Sequence, residues 1–103
     1  PYFYRMKRGG CIYILTNKNK STLYVGVTAD LFRRIQEHKS SLSKSSFSYR
    51  YNLHYLIYYE FYSTIEEAIT REKELKKWRR EKKENLINST NPLWNDLSNS
   101  EDI

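Results

Sequence analysis

Two short runs of alternating character, CIYILT at 11–16 and LYVGVT at 23–28, restrict the fold of this chain more than any other feature. Each has the period of two that marks a β-strand. Ile12 and Ile14 alternate with Tyr13 and Leu15 in the first run. In the second, Leu23, Val25 and Val27 alternate with Tyr24, Gly26 and Thr28. Only the polar connection NKNKST, 17–22, lies between them. A parallel pairing needs a crossover of a dozen residues or more, so a link this short makes the two strands an antiparallel hairpin. Tyr24 and Gly26 therefore share a face. A glycine inside a strand weakens it and marks a close approach by a ligand or another backbone, or else a bulge or a tight helix crossing.

Beyond the hairpin the pattern turns helical. Thr28 or Asp30 can cap a helix running to about Lys44, and the serine-rich segment 40–48 reads as a loop. Leu53–Tyr62 is a third strand, whose β-forming residues on both faces suit a strand covered by helices. Ser63 or Thr64 caps a second helix, with Glu66 and Glu67 in the first turn where negative charge is favoured. That helix runs past Trp78 and continues, or breaks and restarts, to about Ile87. Asn91-Pro92 ends helical structure, and Trp94 and Leu97 are expected to fold back onto the core. No repeat or linker divides the chain. Residues 1–6 read as an N-terminal extension, 7–97 as one domain and 98–103 as a tail, enough for a single sheet with a few helices.

Charge points to a polyanionic partner, and its distribution says where. Residues 1–59 carry ten Lys/Arg against two acids, Asp30 and Glu37, whereas the rest of the chain has eight against ten. The Lys-rich stretch 71–84 holds four glutamates among its eight basic residues, so it reads as a self-neutralised, solvated helix. The positive excess belongs to the half with the tyrosine runs. Ten tyrosines among basic residues suit phosphate contact and base stacking, and equally a small sheet with one wet face. No run approaches the roughly 18 apolar residues of a membrane helix. A single cysteine excludes an internal disulfide or a cysteine zinc cluster, so a reducing interior such as the cytoplasm is expected.

Helix geometry narrows the candidates for chemistry. At about 100° per residue, Ile65, Ala68, Ile69 and Leu75 make one apolar stripe with Glu72 inside it. A carboxylate there must be paired or hold a metal. Lys76, one turn on, offers the pair, so both readings stand. In the preceding helix Leu31, Ile35 and Leu42 share a face with His38, Arg34 lies at its margin, and Arg33 points to solvent. Arg34 and His38, one turn apart, can serve one phosphate: the guanidinium as a fork for its oxygens, the imidazole as donor or proton carrier. Tyr13 works as a base only if cations or a metal-bound water lower its phenol from about 10, and nearby Arg34 would help in that direction.

The segments CIYIL, LYVGVT, LFRRIQEH, YNLHYLIYYE, AITREKELKKW and NPLWNDL follow one another as in small stand-alone GIY-YIG domain proteins, over about residues 7–97. The chain resembles that nuclease family. The resemblance implies an α+β fold, a small three-stranded antiparallel sheet flanked by about three helices. It also implies cleavage of nucleic-acid phosphodiesters with one divalent cation, Mg²⁺ or Mn²⁺. By motif, Tyr13 and Tyr24 match the two tyrosines, Arg34 the phosphate-binding arginine, His38 a histidine many members have, and Glu72 the sole protein carboxylate on the metal. Cys11 replaces the motif's first glycine and sets a thiol on the face of Tyr13. Some members use a downstream asparagine; spacing does not choose among Asn85, Asn88 and Asn91, and Asn91 is preferred because Pro92 fixes it in a turn. Gly26, Lys18, Lys20, Lys39, Lys44 and Lys76 are the residues expected to meet phosphate or DNA.

The expectation is therefore a cytoplasmic endonuclease acting on DNA, with RNA not excluded, and directed by nucleic-acid structure in repair or recombination. No membrane partner is expected. The alternative is a nucleic-acid-binding module on the same fold that does not cleave, or cleaves only with a protein partner.

Overall fold

The computed structural model describes residues 9–40 and 52–99. Lys44, Leu42 and most of the serine-rich segment lie outside the described residues, as do the assigned extension and residues 100–103 of the tail. Three strands form one antiparallel sheet: β1 (Gly10–Thr16), β2 (Leu23–Thr28) and β3 (Tyr55–Tyr62), in the order β2-β1-β3. Among the described residues three helices flank it: α1 (Leu31–Ser40), α2 (Ile65–Lys76) and α3 (Arg80–Thr90). The α+β architecture is as the resemblance implied. Among the described residues no helix is long and apolar enough to cross a membrane.

Strand alternation divides the core in two. Cys11, Tyr13 and Leu15 pack with Leu31 and Ile35 of α1 and with Leu53 and Leu56 on one face. Ile12, Ile14, Val25, Ile57 and Tyr58 pack with Ala68 and Leu75 of α2 and Ile87 of α3 on the other. The strand covered on both faces is β1, buried at every residue, because it is central. β3, expected to be the doubly covered strand, is an edge strand with half-buried residues along its second half.

Local rules set most boundaries. Asp30 is the cap of α1: its carboxylate accepts the Arg33 N–H at 3.1 Å, and Thr28 braces it through the Asp30 N–H. Thr64 caps α2 in a reciprocal box with Glu67. Between α2 and α3 the chain breaks at Lys77–Arg79 with no glycine or proline to announce it. Trp78 sits there against the core, with Arg71 5.2 Å and Lys82 4.2 Å from its ring centre, so packing of one indole on two cations anchors the corner.

Two features of β3 escaped the sequence pattern. A bulge shifts its register against β1 between Ile14 and Leu15, so Ile57 and Tyr58 both serve the helix-covered core. The bulge leaves the Ile57 carbonyl to an outside donor, the Asn91 amide at 3.0 Å. The chain after α3 then lies along the open edge: Leu97 N–H donates to Leu56 O at 2.7 Å, and Leu56 N–H to the Asp96 carboxylate at 3.2 Å. This cover blunts an edge that would otherwise invite pairing with another chain. Trp94 and Leu97 do pack back on the core, on opposite faces of the sheet.

α2 is rotated from the orientation its apolar residues suggest. Ala68 and Leu75 are buried, but Ile69 is 36% exposed and leaves the expected stripe. The cause lies on β3. Glu60 accepts both Arg71 Nε and Nη2, at 3.0 and 3.2 Å, together with the hydroxyls of Tyr58 and Tyr62. Arg71 and its hydrogen bonds hold the Glu60 carboxyl low against a burial that acts the other way, while burial and Glu60 push the Tyr62 hydroxyl up to about 12. With all its lone pairs occupied, this carboxylate pulls the Arg71 side of the helix inward. Ile69 swings outward, and Glu72 moves to the margin of the stripe.

Candidate active site

Tyr13 lies opposite Gly26 in the β1–β2 register, and the pairing explains the glycine. A Cβ on Gly26 would overlap the Tyr13 phenol oxygen and Cζ and stand 2.8 Å from Cε2. The phenol thus occupies the space a side chain would fill. Gly26, expected beside phosphate, seats Tyr13. Gly26→Ala is expected to cost about 1–3 kcal/mol through overpacking and to displace the phenol. Urea melts beside a cleavage assay check it; an active variant of wild-type stability would show that the ring has other room.

Tyr13 is completely buried. Its ring centre is 6.4 Å from that of Tyr24 and 5.9 Å from that of His38, both tilted. The Tyr13 hydroxyl lies 3.4 Å from His38 Nε2. Burial, and secondarily Tyr24, push the Tyr13 phenol up to about 12, while Arg34 acts in the opposite direction and loses. Arg34 acts in the expected direction, but desolvation of the phenolate outweighs the guanidinium alone. Burial, then the charge of Arg34, hold His38 below its ordinary range. At neutral pH the pair is thus a protonated phenol facing an uncharged imidazole, a donor facing an acceptor when the imidazole carries its proton on Nδ1.

Arg34 reaches this group from the margin of α1 and also meets Glu37, Nε to Oε1 at 3.3 Å. Arg33, pointing to solvent as expected, meets the other Glu37 oxygen at 3.4 Å. An open cleft of about 340 Å³ lies beside them, lined by Thr28, Asp30, both arginines and Glu37. Glu37 was not among the candidates, although its spacing of three and four residues from the arginines already carried the signal. It meets the Nε of each arginine, one of the donors that a phosphate would use.

Cys11 shares the face of Tyr13, as alternation required, and is packed into the core with only a small upward influence on the phenol. Glu72 is on α2, which packs against the sheet's other face, along β1 and the edge strand β2. Its side chain is 14% exposed and pairs with Lys76 at 2.8 Å, so the ion pair that helix geometry allowed is formed. Lys39 is tied to Asp96 and to the His54 carbonyl, both at 3.0 Å, and so faces the C-terminal segment. Asn91 spends its amide on Ile57, Asn95 and the Asn95 N–H, and Asn88 accepts the Trp94 indole N–H. Both asparagines are fasteners of the fold here. Lys18 and Lys20 are exposed in the β1–β2 connection.

The donor set bears on a metal. Among the described residues no three His, Cys, Asp or Glu converge as a cage. A single carboxylate does fit the way Mg²⁺ is held, by one or two carboxylates with waters and substrate phosphates completing the shell. Glu72 suits that role, with Lys76 as the cation it would give up.

A three-stranded sheet bearing two neighbouring tyrosines, with an arginine and a histidine from the next helix, has the build of a nuclease-family domain. Residues 9–85 match the GIY-YIG catalytic domain. A UPF0213 protein of Staphylococcus aureus is 36% identical over 76 residues, 74% of this chain and 90% of its own. Another from Haloquadratum walsbyi is 35% identical over 75 residues, 73% and 82%. The solution NMR structure of the UPF0213 protein of Bacillus halodurans aligns with a TM-score of 0.55 at 27% identity, covering 89% of this chain and 96% of that one. The chain belongs to the GIY-YIG family.

Proposed function

We propose that this chain is a metal-dependent endonuclease that hydrolyses phosphodiester bonds of nucleic acid, with DNA as its substrate. The observation that carries this reading is the Tyr13 hydroxyl facing an uncharged His38 Nε2 beside Arg34, in a chain of this family. A phosphate entering the cleft competes with Glu37 for Arg34, whose fork then holds the phosphoryl oxygens as charge builds on them. Tyr13 passes its proton to His38 while taking one from the attacking water, so no lone phenolate forms in a site where burial penalises it. His38 returns the proton to solvent. Glu72 would hold one Mg²⁺ or Mn²⁺, which when bound polarises the phosphodiester and steadies the leaving oxygen. The test is cleavage of branched, flapped and linear DNA by the purified chain with each cation. Cutting of any of them supports the reading; tight binding with no cutting in either cation replaces it with the binding-module alternative. The pairing of Glu37 with both arginines favours that alternative.

Affinity is expected to be sequence-tolerant and sensitive to salt. Neutralising Lys18 and Lys20 should flatten the plot of log affinity against log salt by about 0.7–0.9 per lysine. Neutralising Lys39, held by Asp96, should do less, as should neutralising Lys82 and Lys83, the former lying on Trp78. The opposite ranking in a salt titration would move the binding surface to α3.

A further inference from the structure

We propose that the end of the sheet away from the arginine cleft holds a nucleotide subsite. It accepts one unstacked base of a single strand against Tyr55 and Trp94, and the adjoining phosphate on Lys18 and Lys20. A pocket of about 310 Å³ opens there between the β1–β2 connection, the start of β3 and the chain after α3. Its wall joins two aromatic side chains, two lysines, the largely exposed Leu93 and the Asn17 amide. Aromatic faces beside lysines are how single-stranded nucleic acid is gripped without regard to sequence. The volume is at the lower end of ligand pockets, which limits the occupant to a small planar group and its phosphate.

The pocket is built before any ligand arrives. The Asn17 side-chain oxygen accepts from the Ser21 and Thr22 N–H groups, at 2.8 and 3.2 Å. The Thr16 hydroxyl donates to Thr22 O, and the Arg80 guanidinium reaches across from α3 to Lys20 O and Ser21 O at 2.7 and 2.8 Å. Lys20 and Trp94 both hold φ near +60°, at 60° and 55°, a conformation that side-chain-bearing residues adopt at a cost. The Trp94 indole is aimed by its bond to Asn88 at 2.7 Å. Asp96, the acid in the wall, is neutralised by Lys39 and by the Leu56 and Ser98 N–H groups, which also hold its carboxyl low against burial. The pocket therefore keeps a positive balance. Thr16 at its edge is three residues along β1 from Tyr13, about 10 Å, and on the opposite face of the strand. A base stacked in a duplex cannot enter, which selects frayed, flapped or single-stranded positions.

This inference rests on the nucleic-acid reading of the site and is separated from it by the following measurement. Amide and indole N–H shifts of the full chain are followed in EDTA, which blocks cleavage, as tetrathymidylate or a blunt hairpin duplex is added. With tetrathymidylate, saturable shifts are expected at Lys18, Lys20, Leu93 and the Trp94 indole, with the Trp78 indole unmoved as an internal control. Tyr55→Ala and, as a surface variant that leaves the fold intact, Lys18→Glu should each weaken this binding on the order of tenfold. Shifts confined to Tyr24, Arg33 and Arg34 overturn the subsite and leave the nuclease reading standing, and equal Trp94 shifts with the duplex overturn it as well. Pocket shifts in a protein that cuts no substrate with either cation uphold the subsite and remove the nuclease reading.

Discussion

Tyr13→Phe, Tyr24→Phe and Arg34→Ala should each lower DNA cleavage on the order of 10²-fold or more. Tyr13→Phe is the sharpest of the three. The ring is fully buried and fits the space left by Gly26, so removing only its oxygen preserves the packing and takes away the donor to His38. DNA binding should barely change with either tyrosine variant. If both Phe variants cut at the wild-type rate, the tyrosines are packing residues and the proton route proposed here is wrong. The acid limb of the pH profile gives an independent reading. A route that needs uncharged His38 fails as pH falls through the histidine's own titration, which burial and Arg34 hold below the ordinary value of about 6.5. Removing the Arg34 charge removes one of the causes. The residual activity of Arg34→Ala should therefore begin to fall at a higher pH than the wild type. An unchanged limb would mean that His38 takes no proton in the rate-limiting step.

Glu72→Gln is expected to abolish cleavage and to remove the rise in melting temperature that Mg²⁺ or Mn²⁺ produces in the wild type. The carboxylate pairs with Lys76 in this structure, which changes the forecast for the metal-free protein. A lone carboxylate in an apolar stripe would be relieved by amidation, whereas a paired one loses up to about 1 kcal/mol. The small loss is the expected result. Lys76 then acts as the stand-in cation, and Lys76→Met should strengthen the metal-induced shift by ending the competition. A Glu72→Gln protein that still cuts DNA would sink the metal role assigned to this residue. One that fails to cut but keeps the full metal-induced shift would place the ion elsewhere.

Much of the fold was legible from local rules. Alternation in 11–16 and 23–28 sorted the apolar residues of β1 and β2 by face correctly, because a strand's side chains have no third direction to take. The short polar link made the hairpin antiparallel, and Thr64 with Glu67 announced the start of α2 by chemistry confined to four residues. Arg34 and His38 were legible as neighbours from one helical turn, and Tyr13 and Tyr24 joined them through the resemblance to the GIY-YIG family; the structure brings the four together.

Other features depended on partners far away along the chain, and these only the tertiary structure decided. Gly26 is small because of Tyr13 on the neighbouring strand. α2 turns Ile69 outward because Glu60, eleven residues before Arg71, binds that arginine. The break at Trp78 has no local breaker and is held by an indole packed between two cations and the core. Asn91 was set apart by its proline, yet its amide answers a carbonyl that a bulge in β3 left over. The state of the Tyr13 phenol belongs here too. Sequence placed Arg34 close enough to lower it, but the outcome is a competition between one guanidinium and the desolvation of a wholly buried ring, and burial is a property of the assembled fold. What the sequence by itself determined was the period, the caps and the faces, since these follow from backbone geometry over a few residues. Rotation, register and proton affinity come from contacts between distant segments, so they were decided only when the chain had closed on itself.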